Sequence, residues 1–337
     1  MKEDGIRRAI VTLSAATLMT SVAALCIGRY PVSASEVVGV LASKFFNVGR
    51  TWDAAVENVV LLLRLPRVAA AFLIGGGLSL SGATYQSIFK NQLAAPELLG
   101  VFQGSCVGAA IAILLGANNI FIQILALAGG IMAVVMTKAI TSFFKNDSTA
   151  ILVLSGVIVS GLMRSILGML KYIMDTETQL PAITYWELGS LSDMTMQKVL
   201  TVAPTMVVTM ALLLAMRWQF NLLSLGDDEA RSLGVNVPVV RGVTITCATL
   251  LTSCAVCLGG TILWVGLIIP HLGRFFAGPD NVKLSPVAVL AGAIFLIAID
   301  TAARSLTGVE IPLSILTGLV GAPIFIVLIS RKSVKLK

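Results

Sequence analysis

Apolar residues in this chain run in long unbroken stretches and do not alternate with polar ones. Ten such stretches are legible, at about 9–28, 66–87, 101–116, 120–141, 149–174, 198–217, 239–258, 261–276, 285–306 and 311–330. A helix needs about 20 apolar residues to cross a bilayer, whereas a crossing strand shows only about ten residues of alternation. The pattern therefore predicts an all-α membrane protein with ten transmembrane helices. Stretches 101–116 and 261–276 are short, and each stands third in its half of the chain. Short or Gly/Pro-interrupted segments at matching places in two halves point to an inverted repeat of five helices.

The first stretch follows Lys2, Arg7 and Arg8 as a signal peptide would, but no A-x-A site closes it and nine further stretches come after. It reads as a retained first helix. No low-complexity linker or soluble domain intervenes, so residues 1–337 read as one transmembrane domain. The outer loop 29–65 is the longest, and SEVVGVLASKF at 36–46 within it suits an interfacial helix. The stretch 175–197, with Asp175, Glu177, Pro181, Trp186, Glu187 and Asp193, suits a structured outer segment.

The polar positions set the orientation. With both termini in the cytoplasm, fifteen Lys/Arg fall on the inner side and eight on the outer, with Arg164 inside a span. That is the bias of a multi-pass protein of the cytoplasmic, or inner, membrane. Composition agrees: 57% of residues are hydrophobic and 12% charged, against about 25% charged in soluble domains. Mean hydropathy is +0.94. A cytosolic enzyme, a disordered chain and a disulfide-stapled secreted domain are excluded. The net charge of +7 sits in short gaps and tails without interleaved aromatics, so no nucleic-acid partner is read from it. Cys254 and Cys257 have redox-pair spacing, but no second pair or nearby histidine completes a site, and they read as buried helix residues.

Catalytic motifs are missing. Gly77-x4-Gly82 has the glycine spacing of a phosphate-binding loop, yet Ala83-Thr84 stand where the lysine and hydroxyl belong. Close helix packing through small residues explains it. His271 is the only histidine, so no metal site, bound cofactor or enzymatic role is expected of this chain, and any ATP must be bound by a partner.

Five constellations remain. Arg64 and Arg67 flank Pro66 at the outer entry of the second span. Asn91, Pro96 and Gly100 lead into the third, where Gly104 and Gly108 continue a flat packing stripe. Leu225-Gly226-Asp-Asp228-Glu229-Ala230-Arg231-Ser-Leu233-Gly234 forms a compact acidic helix-turn on the inner side. Gly259-Gly260 and Pro270-His271 bracket a short apolar piece containing Gly266, as in a discontinuous helix, with His271 in a structural hydrogen bond. Asp300 and Arg304 can pair at i, i+4 near the outer end of span nine, and Gly321-Ala-Pro323 breaks span ten. Arg164, between Gly161 and Gly168, is a charge within a span and thus a pathway candidate, although it can equally snorkel outward with Lys171.

RLPR at 64–67, SGATYQSIFKNQLAAPELLG at 81–100, LSLGDDEARSLGV at 223–235, GGTILWVGLIIPHLGR at 259–274 and EIPLSILTGLVGAPIFIVLI at 310–329 resemble, in order and spacing, the FecCD-type, BtuC-like permeases. Gln92 departs from the proline usual after the asparagine, a local loop effect. The resemblance implies a type II ABC importer permease for iron-siderophore, haem, vitamin B12 or molybdate, with iron-siderophore the leading substrate. It implies a homodimer, two cytoplasmic ATPases carrying ATP and Mg, and one periplasmic or lipid-anchored binding protein. It implies that Leu225 to Gly234 couples to the ATPase and that Arg64, Arg67 and Arg304 face acidic residues of the binding protein. It also places Arg164, Gly161 and Gly168 near the pathway. The rival reading is an ion-gradient-driven secondary transporter, against which stands the scarcity of mid-membrane acids.

Overall fold

A computed structural model describes residues 3–46, 49–144 and 149–334, and most of them are helical. The elements in order are α1 (Glu3–Cys26), α2 (Ala34–Ala42), α3 (Ala54–Asn58), a π turn (Val59–Arg64), α4 (Leu65–Ile88), a 3-10 turn (Pro96–Leu99), α5 (Val101–Leu114), α6 (Asn119–Phe143) and α7 (Thr149–Ile173). Then come α8 (Gln179–Leu188), α9 (Met196–Ala215), α10 (Arg217–Leu225), α11 (Asp227–Ser232), α12 (Val237–Gly259), α13 (Val265–Ala277), α14 (Asn281–Ser305) and α15 (Leu313–Val334). Among the described residues, α1, the continuous Ala54–Ile88, α6, α7, α9, α12 and α14 are long and apolar enough to cross a membrane. Two apolar helices are shorter, Val101–Leu114 and Val265–Ala277, and α15 carries a further apolar stretch over Leu313–Leu328. Seven helices of crossing length are thus found among the described residues where the apolar pattern predicts ten spans, and the remaining three apolar stretches are helical as well.

The structure redraws the loop 29–65. The interfacial helix is there, as α2, capped by Ser33, whose hydroxyl accepts the Glu36 N–H while Glu36 takes the Ser33 N–H. The helix that carries the second span begins earlier than its hydropathy suggests, at Ala54. Pro66 causes the π turn before α4. Its ring would clash with the carbonyl one α-turn back, and a widened turn removes the clash. The stretch 175–197 holds α8.

Both short helices follow a backbone break. Lys90, in the left-handed region, ends α4, and Gly100 at φ 81° joins the 3-10 turn to α5. Gly260 and Trp264, at φ 72° and 73°, make the second break. Two expectations are corrected here. Pro270 and His271 lie inside α13, and Pro323 lies inside a continuous α15. A proline interrupts a membrane helix only where nothing re-satisfies the carbonyl it frees.

The core is set by α12 and α4: 78% of the best window of α12 is buried against 17% for α1. Small residues bring the backbones together. Any Cβ on Gly75 would strike the Gly292 carbonyl of α14, and one on Gly82 would strike Gly266 of α13. Gly104 and Gly108 of α5 meet the Gly129 and Leu125 carbonyls of α6 in the same way. Gly82 and the α5 stripe therefore pack helices, as their spacing predicts. Cys254 and Cys257 are buried free thiols in α12.

Candidate functional site: a polar network at each end of α4 and α14

Helices α4 and α14 run antiparallel, and each carries polar side chains at both ends. At the end that the charge bias places outside lie the three arginines expected to face a partner. All are buried: Arg64 is 4% exposed, Arg67 7% and Arg304 7%. The reason is the C-terminus of α1. A helix leaves its last four carbonyls unpaired, and the negative end of its dipole favours cations. The last turn of α1 has no basic residue of its own. Arg64 reaches in from α4's entry and donates to the Leu25 carbonyl at 2.6 Å, the Cys26 carbonyl at 2.9 Å and the Tyr30 carbonyl. Arg304 donates to the Ile27 carbonyl at 2.7 Å and to that of Ala24. Gly28 leaves the room, since a Cβ there would lie 2.6 Å from Arg64 Nη2 and 2.8 Å from Arg304 Nη1.

Arg67 is held by carboxylates. Its guanidinium lies 2.7 Å from Asp300 Oδ1 and 2.7 Å from Glu310 Oε1, with further contacts at 3.3 and 3.1 Å. Asp300 is 2% exposed and also faces Arg304 Nε at 3.6 Å. The expected i, i+4 pair forms, but Arg67 is the closer partner of Asp300. Within this chain the three arginines expected to dock a binding protein point their charges inward and fasten α1, α4 and α14. Asp300 and Glu310 are likewise engaged in ion pairs, so neither stands as a free ion-coupling acid.

At the opposite end the chain builds a platform. Gly226 starts α11, Ala230 is buried, and Arg241 of α12 grips Asp227 with contacts of 2.8 and 2.9 Å. Asp228, Glu229, Arg231 and Gly234 stay exposed, with Arg231 3.4 Å from Asp228. Leu225, Leu233, Trp218 and Val239 are exposed apolar side chains around them. Gly234 turns the chain back at φ 82°. Apolar residues rimmed by charge mark an interaction surface.

Behind the platform lies a network that the sequence reading missed. Asn221 of α10 donates to Asp280 Oδ1 and accepts the Asn281 N–H, each at 2.7 Å. Asn281 Oδ1 lies 2.8 Å from Ser87 Oγ, which donates to it or to the Ala83 carbonyl at the same distance. Burial pushes the Asp280 carboxyl up, yet the Asn221 amide, the Val282 N–H and Lys283 outweigh it and hold it below its ordinary value. Asn-Val-Lys after Asp280 is a helix start, and that is the only signal the sequence carries for it.

The helix-break residues divide. The Asn91 side chain accepts the Leu93 N–H at 2.9 Å and shapes the turn, and Pro96 packs on Gly266. Pro270 cannot bond the Gly266 carbonyl. The Gln86 side-chain amide of α4 faces it at 3.5 Å and donates to the Leu267 carbonyl at 3.2 Å, while Arg274 donates to Gln86 Oε1. His271 is buried edge-on to Phe275 and to Phe325 of α15. Arg164 lies on the uncovered face of α7 with Gly161 and Gly168, and Lys171 pairs instead with Glu187 of α8.

Three comparisons bear on this arrangement. A sequence profile of the FecCD transport family matches residues 16–331. The chain is 37% identical over 333 residues to the molybdate import system permease protein MolB of Haemophilus influenzae, covering 98% of each chain. It is 38% identical over 278 residues to an iron chelatin transport system permease protein of Helicobacter pylori, covering 82% of this chain and 84% of the other. The solved inward-facing conformation of a metal-chelate type ABC transporter superposes with a TM-score of 0.86 at 36% identity, over 96% of this chain and 99% of that one.

Proposed function

The chain belongs to the FecCD transport family, and from that premise we propose how it works as the permease subunit of an ABC importer. It is a multi-pass membrane protein and not an enzyme; ATP is hydrolysed by a separate subunit. The proposed assembly is a homodimer in the cytoplasmic membrane, ten spans per copy, with two ATPases below and one binding protein above. ATP and Mg belong to the ATPases, and this chain holds no cofactor. The observation that carries the arrangement is the platform Leu225–Gly234, whose exposed leucines and acids surround a buried anchor at Ala230. On the outer side, Arg64, Arg67 and Arg304 act on binding-protein docking by fixing the loops that present the surface.

The pathway lies along the uncovered face of α7. Arg164 sits about 22 Å along that helix from Thr149 at 1.5 Å per residue. A cation at that depth is costly against hydrocarbon and is accommodated in a wet cavity. Two copies facing each other make the lining positive, which suits an anionic cargo. An oxyanion and an anionic metal chelate share that charge, and the relatives named for molybdate and for iron chelatin represent both.

The test is co-purification of the tagged chain from its host in mild detergent, followed by uptake of labelled molybdate and of a ferric chelate in cells with and without it. A stoichiometric ATPase and uptake of one anion driven by ATP are expected. No ATPase with an intact dimer refutes the arrangement, and uptake of a neutral or cationic cargo alone refutes the role of Arg164.

A further inference from the structure

The network behind the platform joins three helices that are far apart in sequence. Asn221 uses both ends of its amide, and only one orientation works: the NH2 must face the Asp280 carboxylate and the oxygen the Asn281 N–H. Asn281 is 4% exposed and Ser87 5%, and Phe220 and Leu223 beside Asn221 are buried as well. Apolar contact at Phe220 and Leu223 is non-directional and lets α10 slide. The hydrogen bonds are directional and do not.

The same two helices that end on this network, α4 and α14, end on the Arg67–Asp300 pair at their outer side. Twenty residues separate Ser87 from Arg67, about 30 Å of helix and the thickness of a bilayer core. Between the ends, Gly75 and Gly292 press the two backbones together. The pair is therefore clamped at the inner end, the middle and the outer end.

We propose that Asn221, Asp280, Asn281 and Ser87 are positioning residues that form a coupling clamp, through which α10 and the α4–α14 pair move as one body. Events at the outer face then reach the ATPase platform without a chain of separate rearrangements, and the reverse holds for the ATPase stroke. This rests on the permease arrangement proposed above.

The readout needs no knowledge of the cargo: stimulation of ATP hydrolysis by the outer binding protein, measured on the full complex in liposomes. Asn221→Ala and Ser87→Ala are expected to keep basal hydrolysis and ATPase co-purification within about twofold while stimulation falls about fivefold, since the first removes two part-buried hydrogen bonds and the second a buried one. Ser87 lies away from the platform, so its variant carries the test if Asn221→Ala fails to assemble. Exchanging the partners, Asn221→Asp with Asp280→Asn, sets a donor against an acceptor again and is expected to recover more than half the stimulation. Unchanged stimulation in both alanine variants overturns the clamp. So does no recovery in the exchange pair, or a fall in basal hydrolysis matching the fall in stimulation, which assigns the residues to holding the platform alone. A wild-type complex without ATPase refutes the permease arrangement instead.

Discussion

Replacing Arg67 by alanine tests whether the outer arginines serve the fold. In the structure Arg67 is the main counter-charge of Asp300, which is 2% exposed. Removing one partner of a buried ion pair costs about 3–5 kcal/mol because the other charge stays buried and unpaired. Two features place Arg67→Ala at about 3 kcal/mol, the lower end of that range. Arg304 still faces Asp300 at 3.6 Å, and the Glu310 side chain is 31% exposed and can take water. Arg67→Lys keeps the charge but cannot bridge two carboxylates with a planar fork, so about 1.5 kcal/mol is lost. The assay is denaturant unfolding of the purified chain in mild detergent, with Asp300→Ala and the double variant closing a thermodynamic cycle. A coupling of about 1–3 kcal/mol between the two positions is expected. An Arg67→Ala protein of wild-type stability with lost affinity for the binding protein refutes the reasoning, because Arg67 would then be an exposed docking charge.

Three further outcomes follow from the geometry. Gly82→Ala forces a Cβ into the Gly266 backbone and is expected to cost at least about 3 kcal/mol or to abolish expression, whereas Gly161→Ala on the open face of α7 changes unfolding by less than about 0.5 kcal/mol. Gly234 holds φ 82° with nothing around it, so Gly234→Ala costs about 1–2 kcal/mol of backbone strain; titration of the ATPase against the variant is expected to show weaker binding, and Gly234→Asn to lose less. Asp280 is held below its ordinary value of 3.8, so its share of stability is complete above about pH 4 and is lost as pH falls through the lowered value. Acid unfolding of Asp280→Asn is expected to lack that component, and identical acid curves for the two proteins would contradict the assignment.

The ten apolar stretches were legible because a bilayer imposes length and composition on every span locally, without reference to its neighbours. The family motifs, the packing role of Gly82, Gly104 and Gly108, and the helix-turn at Leu225–Gly234 were legible too. In each case the residue type alone carries the constraint: no side chain at a helix crossing, or turn formers beside acids. The π turn was less visible, although Pro66 is its cause.

Direction and partnership were not legible. A sequence shows that Arg64, Arg67 and Arg304 lie at one end of two spans, but not whether they point out or in. Tertiary structure decided that, because the unpaired carbonyls of α1 and the closest contacts of the buried Asp300 are met by residues brought from 38 to 280 positions away. The same holds for Asn221, Asn281 and Ser87, each an ordinary polar residue near a helix end, and for Gln86, whose value comes from the carbonyl that Pro270 leaves free. Hydropathy is a sum over one segment and so survives in the sequence. A hydrogen bond is a distance between two segments, and only the packed helices set it.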